Sequence, residues 1–495
     1  MPIPFNRRTL LTAAGALPLT VLGTKLPWDD TWDVIVVGSG AAGLSAAIAA
    51  REAGASVLVI EKMTGIGGNS ALCTGDMAVC GSPVQKTLGF TDTPDLMADD
   101  ICREGKTSDR NRALFIARGS RGAWEWTRSI GMDWDEKALQ SDVGQSVPRG
   151  IMMRPRTGAT LIAAAMNRVA ALKIEVRCHT PMVEILRNVN GVAEGLVVGK
   201  DTPFPQKPRA FQRLKARRGI VLAFGGFGAD ALFRSRLDPR LGSWVPTTNQ
   251  PGATGESVTV AATAGCALTG MSAIQSLPFL CAEEIGMGSA WGFIEYATAS
   301  RGIWVDDRGQ RFVNETTDLK TRADVMLSAL ARGHRLYGII DSRGFAAPIS
   351  NYLGTRNWEE SEARGLIHAF PTLETLAADY DIPANGLRKT IQEFNTSVRH
   401  GEKAAFDRET TGLTELREAP WYLIEIQPKV HHTMGGITIC PAGEVLDRHG
   451  RVIPKLFAAG EATGGLFGEM RIPSHSITDA LVTGLSAGRL AARIS

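Results

Sequence analysis

Trp32-Asp33-Val34-Ile35-Val36-Val37-Gly38-Ser39-Gly40-Ala41-Ala42-Gly43 decides how this chain folds. Its first half is a short β-branched run of the kind that forms a buried parallel strand. Its second half opens into an alanine-rich stretch, Leu44 to Ala53, with strong helix propensity, which Gly54 stops. A second strand, Ser56-Val57-Leu58-Val59-Ile60, ends on Glu61. The segment therefore predicts a complete β-α-β unit. Gly38 permits the tight turn, Gly40 lets a pyrophosphate approach the backbone at Ala41 and Ala42, and Gly43 lets helix and strand pack closely. Glu61, about 20 residues on, can bind a ribose hydroxyl, with Lys62 beside it. A lone G-x-G-x-x-G is a weak signal; strand, helix, second strand and terminal acid in register make dinucleotide binding the expectation.

The segment just after Glu61 favours FAD over NAD. Gly65-Ile66-Gly67-Gly68-Asn69-Ser70 is a loop whose bare backbone can lie against a large flat ligand, where a nicotinamide enzyme would usually continue into a helix. Near the far end, Leu456-Phe457-Ala458-Ala459-Gly460-Glu461 is another apolar strand closing on an acid, and Glu461 could bind ribityl hydroxyls. Between them lie a strand and glycine turn, Gly219 to Phe227, with Gly225 and Gly226 at the turn, and Gly252-Ala253-Thr254-Gly255-Glu256. From about 272 to 414 no dinucleotide signature occurs. The expected fold is α/β: a Rossmann-type FAD-binding domain, 29–271 and 415–495, split by an inserted α+β capping domain at 272–414.

At 495 residues the chain exceeds one ordinary hydrophobic core. Its 54 basic and 51 acidic residues leave a net charge of +3, too balanced to predict nucleic-acid or bulk membrane binding. The seven cysteines form no C-x-x-C pair, so neither a zinc ribbon nor an iron–sulfur site is expected, and no C-x-x-C-H would attach a c-type haem. Residues 1–28 read as an export signal: Arg7-Arg8 precede an apolar stretch, Leu10 to Gly23, too short to span a bilayer, in the manner of a twin-arginine address. That predicts a periplasmic protein without stable membrane insertion, or a cytoplasmic one if the signal does not work.

Taken in order, Gly38–Gly43, Gly65–Ser70, Ala223–Phe227, Gly252–Glu256, Arg301-Gly302, Gly309–Glu315, His431–Gly436 and Ala459–Gly465 resemble the flavoprotein of the fumarate reductase and succinate dehydrogenase family, especially the soluble periplasmic fumarate reductases. The resemblance implies hydride transfer between flavin and a substrate carbon beside a carboxylate- or carbonyl-binding pocket. It implies His432 and Arg471 as the grip on one carboxylate, an arginine fork and a second donor, and adds Arg301 to the site. For the proton donor it implies Arg322, since the family's own place falls on Leu319; Lys320 is second and Tyr296, whose phenol can exchange a proton, third. His475 precedes a helix start at Ser476 and Ile477, whose positive end would face the flavin pyrimidine. No histidine precedes His179, so the FAD is expected to be non-covalent.

Departures from that pattern bear on the substrate. Leu277 before Pro278, and Ala297-Thr298 before Arg301, stand where the family places polar anchors for a second carboxylate. A dicarboxylate would leave a charge unpaired there, which is costly. The expected substrate is therefore a small unsaturated monocarboxylic acid with an apolar or aromatic body, and with no haem of its own the chain should exchange electrons with a separate donor or acceptor. The rivals are a ketosteroid dehydrogenase, which would normally cluster tyrosines where this chain has only five, and a non-catalytic flavin-binding electron carrier.

Overall fold

The computed structural model describes residues 27–106, 108–347 and 358–494, so the expected export signal lies outside the described residues. The β-α-β unit forms as expected. The strand Asp30–Val37 pairs in parallel with Val57–Ile60 on one side and with Phe211–Leu222 on the other. Glu175–Arg177 and Val452–Ala458 extend this parallel core, and the strands Met182–Arg187 and Ala193–Gly199 and the short strand Glu444–Leu446 complete an eight-stranded sheet. Val34 to Val37 are buried because both faces of the sheet are covered, which is why they read as an uninterrupted apolar run.

The helix Ala41–Glu52 is buried from Ala41 to Ala50, because it packs against the sheet and, along its side, against the C-terminal helix His475–Arg493, which touches the same sheet. Only small residues allow that approach. A Cβ on Gly484 would overlap Ala42 and Ser45, and one on Gly488 would overlap Ala46. The packing brings the N-termini of both helices to the same end of the molecule's parallel sheet.

The middle of the chain builds a five-stranded antiparallel sheet from Ile274–Cys281, Ile303–Asp306, Leu336–Asp341 and His368–Phe370 around the long strand Trp421–Thr433. That strand comes from beyond residue 414, so the second sheet is completed by the returning chain. It then runs back toward the first sheet and ends in His431-His432-Thr433. The α/β class with an FAD-binding fold and a capping domain is thus the observed architecture. A small antiparallel sheet, Asp76–Ala78 with Gly150–Arg154 and Asp133–Gln140, lies beside the C-terminal helix.

Candidate active site

A cavity of about 1120 Å³ runs along the C-terminal ends of the parallel strands. Gly38, Gly40, Ala41, Ala42, Glu61, Lys62, Gly68, Asn69, Ser70, Gly225, Gly226, Glu461, Ser476 and Ile477 all line it. Gly43 and Gly67 stand behind its wall: a Cβ on Gly43 would overlap the Gly38 carbonyl oxygen, and Gly67 holds φ +111°. Glu61 Oε2 accepts from the Ser39 amide (3.0 Å) and hydroxyl (2.7 Å), and Oε1 accepts from the Met63 amide (2.9 Å), so this acid also braces the glycine turn. Lys62 donates to Thr254 (2.7 Å) and Glu256 (2.6 Å), which ties the second glycine segment to the first.

The residues fit FAD. No side chain caps the helix at Gly40, and the Ala41 amide alone is met, by Ser70 Oγ at 3.1 Å, which leaves first-turn N–H groups for a phosphate. The C-terminal helix is likewise uncapped, with Ser474 before it at φ +67°. Glu461, its pKa raised by burial, accepts from the Thr433 amide (3.0 Å) and hydroxyl (3.2 Å). Gly226 faces it so closely that a Cβ would overlap Glu461 and Thr433. Two uncapped helix ends in one groove walled by bare glycine backbone suit a dinucleotide with a flat ring system.

A second cavity of about 1190 Å³ adjoins the first and shares Asn69, Cys73, His431, Ser476 and Ile477 with it. Arg471 and Tyr296 line it, together with Leu277, Phe279, Trp291 and Leu319 from the capping region and Asp76, Asp142 and Arg156 from the cofactor side. The Gln275 amide clasps the Arg471 backbone, accepting from its N–H (3.1 Å) and donating to its carbonyl (3.2 Å). The guanidinium donates to the Ile472 carbonyl at 3.0 Å while Nε has no partner. Burial pushes the Arg471 pKa down; Asp76, Glu461 and Asp142 pull it back up, yet among the described residues no carboxylate comes within 4.0 Å of it. A buried, under-partnered guanidinium is a ready receptor for an anion.

His432 lines the cofactor cavity only, with Nδ1 3.5 Å from Glu461 Oε1, whereas His431 lines both cavities and its Nδ1 meets Thr248 Oγ1 at 2.7 Å. Burial and the nearby Arg471 charge lower the His431 pKa to about 3 and hold that of His432 well below its ordinary value, so both rings are neutral near pH 7. Burial raises the phenol of Tyr296 well above its usual value.

Other expected residues lie elsewhere. Arg322 does not line the cavity: it donates to Glu295 Oε2 (2.7 Å) and Oε1 (3.0 Å) and to the Glu315 carbonyl (3.0 Å). The helix Leu319–Ala331 starts at its Asp318 cap, which puts Leu319 at the cavity and Arg322 one turn away, facing Glu295. Lys320 pairs with Asp324 at 2.6 Å outside the cavity. Arg301 donates to the carbonyls of Gly344 (3.4 Å) and Ala347 (2.9 Å) and ties a loop. Ala297 and Thr298 are buried in the capping region's core, Thr298 bonded to Ile294 and Trp304. Ile294–Ala299 is a π-helical turn, whose extra residue per turn turns Glu295 and Tyr296 to the cavity instead. His475, the buried first residue of the C-terminal helix, lines neither cavity and has Nδ1 against the Pro473 carbonyl at 2.8 Å. Sequence reasoning missed Asp76, Asp142, Arg156 and His431. Only the last carried a signal, as neighbour of His432 on a strand entering the site.

Comparison with known proteins fits this geometry. Residues 33–477 match the family model described as FAD binding domain. The chain is 34% identical over 477 residues to a fumarate reductase (cytochrome) of Shewanella frigidimarina, covering 94% of this chain and 78% of that protein. It is 32% identical over 489 residues to an acrylate reductase flavoprotein subunit of Shewanella woodyi, covering 97% and 94%. An open conformation of a flavocytochrome c3 fumarate reductase superposes with a TM-score of 0.79 at 26% identity, over 94% of this chain and 79% of that one. The chain belongs to the FAD-binding flavoprotein family of the fumarate reductases, and it is an FAD-dependent oxidoreductase of the kind that acts on carbon–carbon double bonds.

Proposed function

We propose that the chain reduces the double bond of a small unsaturated monocarboxylic acid with an apolar or aromatic body. One observation carries the reading: Arg471 lines a cavity that Leu277, Phe279, Trp291 and Leu319 also line, directly beside the cofactor cavity. Bound FAD supplies hydride transfer. Arg471, positioned by Gln275, holds the carboxylate; His431, neutral, donates or accepts a hydrogen bond where the cavities join, and His432, also neutral, does so on the cofactor side. The apolar wall takes the substrate's body, since burying an aromatic or alkyl group is favourable where an unpaired carboxylate would resist desolvation. Tyr296 is the one tyrosine lining the cavity among the described residues, which speaks against a ketosteroid. An electron carrier would need no buried anion receptor.

A second reading, a dicarboxylate, is favoured by Arg156, a second guanidinium on the cavity, 5.8 Å from the Trp291 ring and donating to Gln140 at 3.3 Å. The capping unit is read as 272–414, its sheet completed by the strand Trp421–Thr433 of the cofactor domain, which is formed by 29–271 and 415–495. No helix among the described residues is long and apolar enough to cross a membrane; twin-arginine export to the periplasm, and a separate redox partner there, complete the proposal. Anaerobic reoxidation of dithionite-reduced protein, followed by return of flavin absorbance, tests it across acrylate, cinnamate, urocanate, fumarate and ketosteroids. The monoacids should react faster than fumarate; fumarate as fastest acceptor would establish the dicarboxylate reading instead.

A further inference from the structure

With Arg322, Arg301 and Lys320 all held outside the substrate cavity, the proton that double-bond reduction consumes needs another source. Asp142 lines that cavity from the turn after the strand Asp133–Gln140. Its Oδ1 accepts from Gln140 Nε2 at 2.6 Å, and its Oδ2 accepts from Gln145 Nε2 at 3.3 Å and from the Ser474 hydroxyl. Ser474 pays for that contact in backbone geometry. It holds φ +67°, a left-handed conformation disfavoured for serine, and its side chain reaches Asp142 rather than capping the helix behind it. Strain at a cavity wall that serves to anchor a buried carboxyl is the pattern of a functional group rather than of packing.

We propose that Asp142 is the acid that protonates the substrate carbon next to the carboxylate held by Arg471. The proposal rests on the double-bond reduction argued above. In the balanced step, the C=C π bond breaks. The carbon distal to the carboxylate gains a hydride, and with it two electrons, from the reduced flavin, and the carbon beside the carboxylate gains the Asp142 proton. The substrate is reduced, the flavin is left oxidised, and Asp142 is left as a carboxylate that water reprotonates.

The surroundings of Asp142 suit that task. Asp76, Arg471, Arg156, Tyr296 and Glu295 face the same cavity, and Arg103 and Glu104 pack against the outer side of the turn at Gly144. Burial and the Asp76 charge raise the Asp142 carboxyl to about 6, against the hydrogen bonds from Ser474 and Gln140 and the charge of Arg471, which lower it. A carboxyl near 6 still carries and can release a proton close to neutrality, the condition for efficient general acid catalysis. Tyr296 shares the cavity, but burial raises its phenol further from neutrality, and the two histidines hold no extra proton. An anion bound at Arg471 screens the guanidinium and favours the protonated carboxyl further.

The test is reoxidation of dithionite-reduced holoenzyme by the fastest native acceptor among acrylate, cinnamate, urocanate and fumarate, measured against pH. The native rate should fall as pH rises through about 6, because the acid acts only while protonated. Asp142→Asn should lower it about 100-fold or more and remove that fall. Ser474→Gly keeps the acid, relieves the backbone and deletes one hydrogen bond to the charged form, so the fall should move to higher pH; this variant decides the matter if Asp142→Asn does not fold. Infrared titration of the oxidised holoenzyme should show a protonated-carboxyl band that vanishes over the same range and is missing in Asp142→Asn. A near-native rate and pH profile in Asp142→Asn, or a larger loss in Tyr296→Phe, would overturn the proposal. A native enzyme that no acceptor reoxidises would instead overturn the double-bond reading on which it stands.

Discussion

Arg322 and Glu295 face each other through two guanidinium–carboxylate contacts of 2.7 and 3.0 Å, and this pairing, beneath the cavity wall, keeps Arg322 out of the substrate space. The guanidinium also stands 5.5 Å from the Trp304 ring and 5.9 Å from that of Phe279. Its surroundings are those of a structural clamp between the helix Leu319–Ala331 and the π-helical turn that carries Tyr296.

Arg322→Ala should therefore act first on stability. Removing one partner of a buried pair costs about 3 kcal/mol or more by leaving the other charge uncompensated; Glu295 keeps some exposure, which argues for the lower end. Thermal unfolding should register the loss, while turnover per bound flavin stays within roughly tenfold of native, far from the 10²–10⁴ expected for a missing proton donor. A folded Arg322→Ala protein with turnover abolished would restore Arg322 as the donor.

Gly43→Ala should release the cofactor. The added methyl would overlap the Gly38 carbonyl oxygen, and Gly38 itself, at φ +103°, lies so near the Ala223 backbone that it has no room to give way. Neither neighbour is a flexible side chain, so the helix must shift away from the sheet and with it the first-turn amides. The ratio of flavin to protein after gel filtration reads the effect; full flavin occupancy would show that the turn tolerates the shift.

Arg471→Ala should cost about 2–5 kcal/mol of transition-state binding for a carboxylate acceptor, with flavin retained. Gln275→Ala should cost less, because it loosens the Arg471 backbone clasp without removing the guanidinium. The comparison of kcat/KM for the two variants with one acceptor checks the ordering. Equal losses would mean that Gln275 itself contacts the substrate.

His475 gives a pH prediction with a definite sign. Burial lowers its pKa to about 4, against an ordinary value near 6.5, so the folded state favours the neutral ring. Its stabilising contribution is complete above about pH 6.5 and is lost as pH falls toward 4, where the unfolded chain binds the extra proton. His475→Asn can keep a donor to the Pro473 carbonyl and removes the titration. Urea midpoints at pH 7.5 and pH 5 should fall further apart in the native protein than in this variant; equal differences would place the ring's titration elsewhere.

Local signals made the β-α-β unit legible: a β-branched run, glycines at fixed spacing and an alanine-rich helix each specify their own backbone. The glycines and Glu61 could be placed in a cofactor groove for the same reason, although the bracing of Ser39 by Glu61 is a tertiary contact that spacing does not mark. The substrate cavity was harder to read. Which of residues 295–298 faces it depends on a π-helical turn, whose one-residue phase shift no composition signal marks. Whether Leu319 or Arg322 reaches it depends on where one helix starts. Asp142 arrives from a turn with no motif, and the strand that completes the second sheet lies beyond residue 414, because strand pairing is settled by distant partners.

Leu319 offers the last prediction, since it holds the place where an arginine would convert the apolar wall into a second anion receptor. It packs with Leu277, Leu280 and Met470 at the cavity's edge, and only one turn of helix separates it from the Arg322–Glu295 pair. In Leu319→Arg the new guanidinium has no carboxylate committed to it, so a bound substrate must supply the counter-charge or the group must turn toward solvent. A diacid can supply it; an aryl monoacid cannot, and it also loses the apolar contact that favoured it. Reoxidation of the reduced variant should therefore speed up with fumarate and slow down with cinnamate relative to the native protein, moving the ratio of the two rates by roughly 10-fold for each 1.4 kcal/mol exchanged. If the ratio is unchanged while the variant remains folded and yellow, Leu319 does not touch the end of the substrate, and the apolar wall must be sought at Phe279 and Trp291 alone.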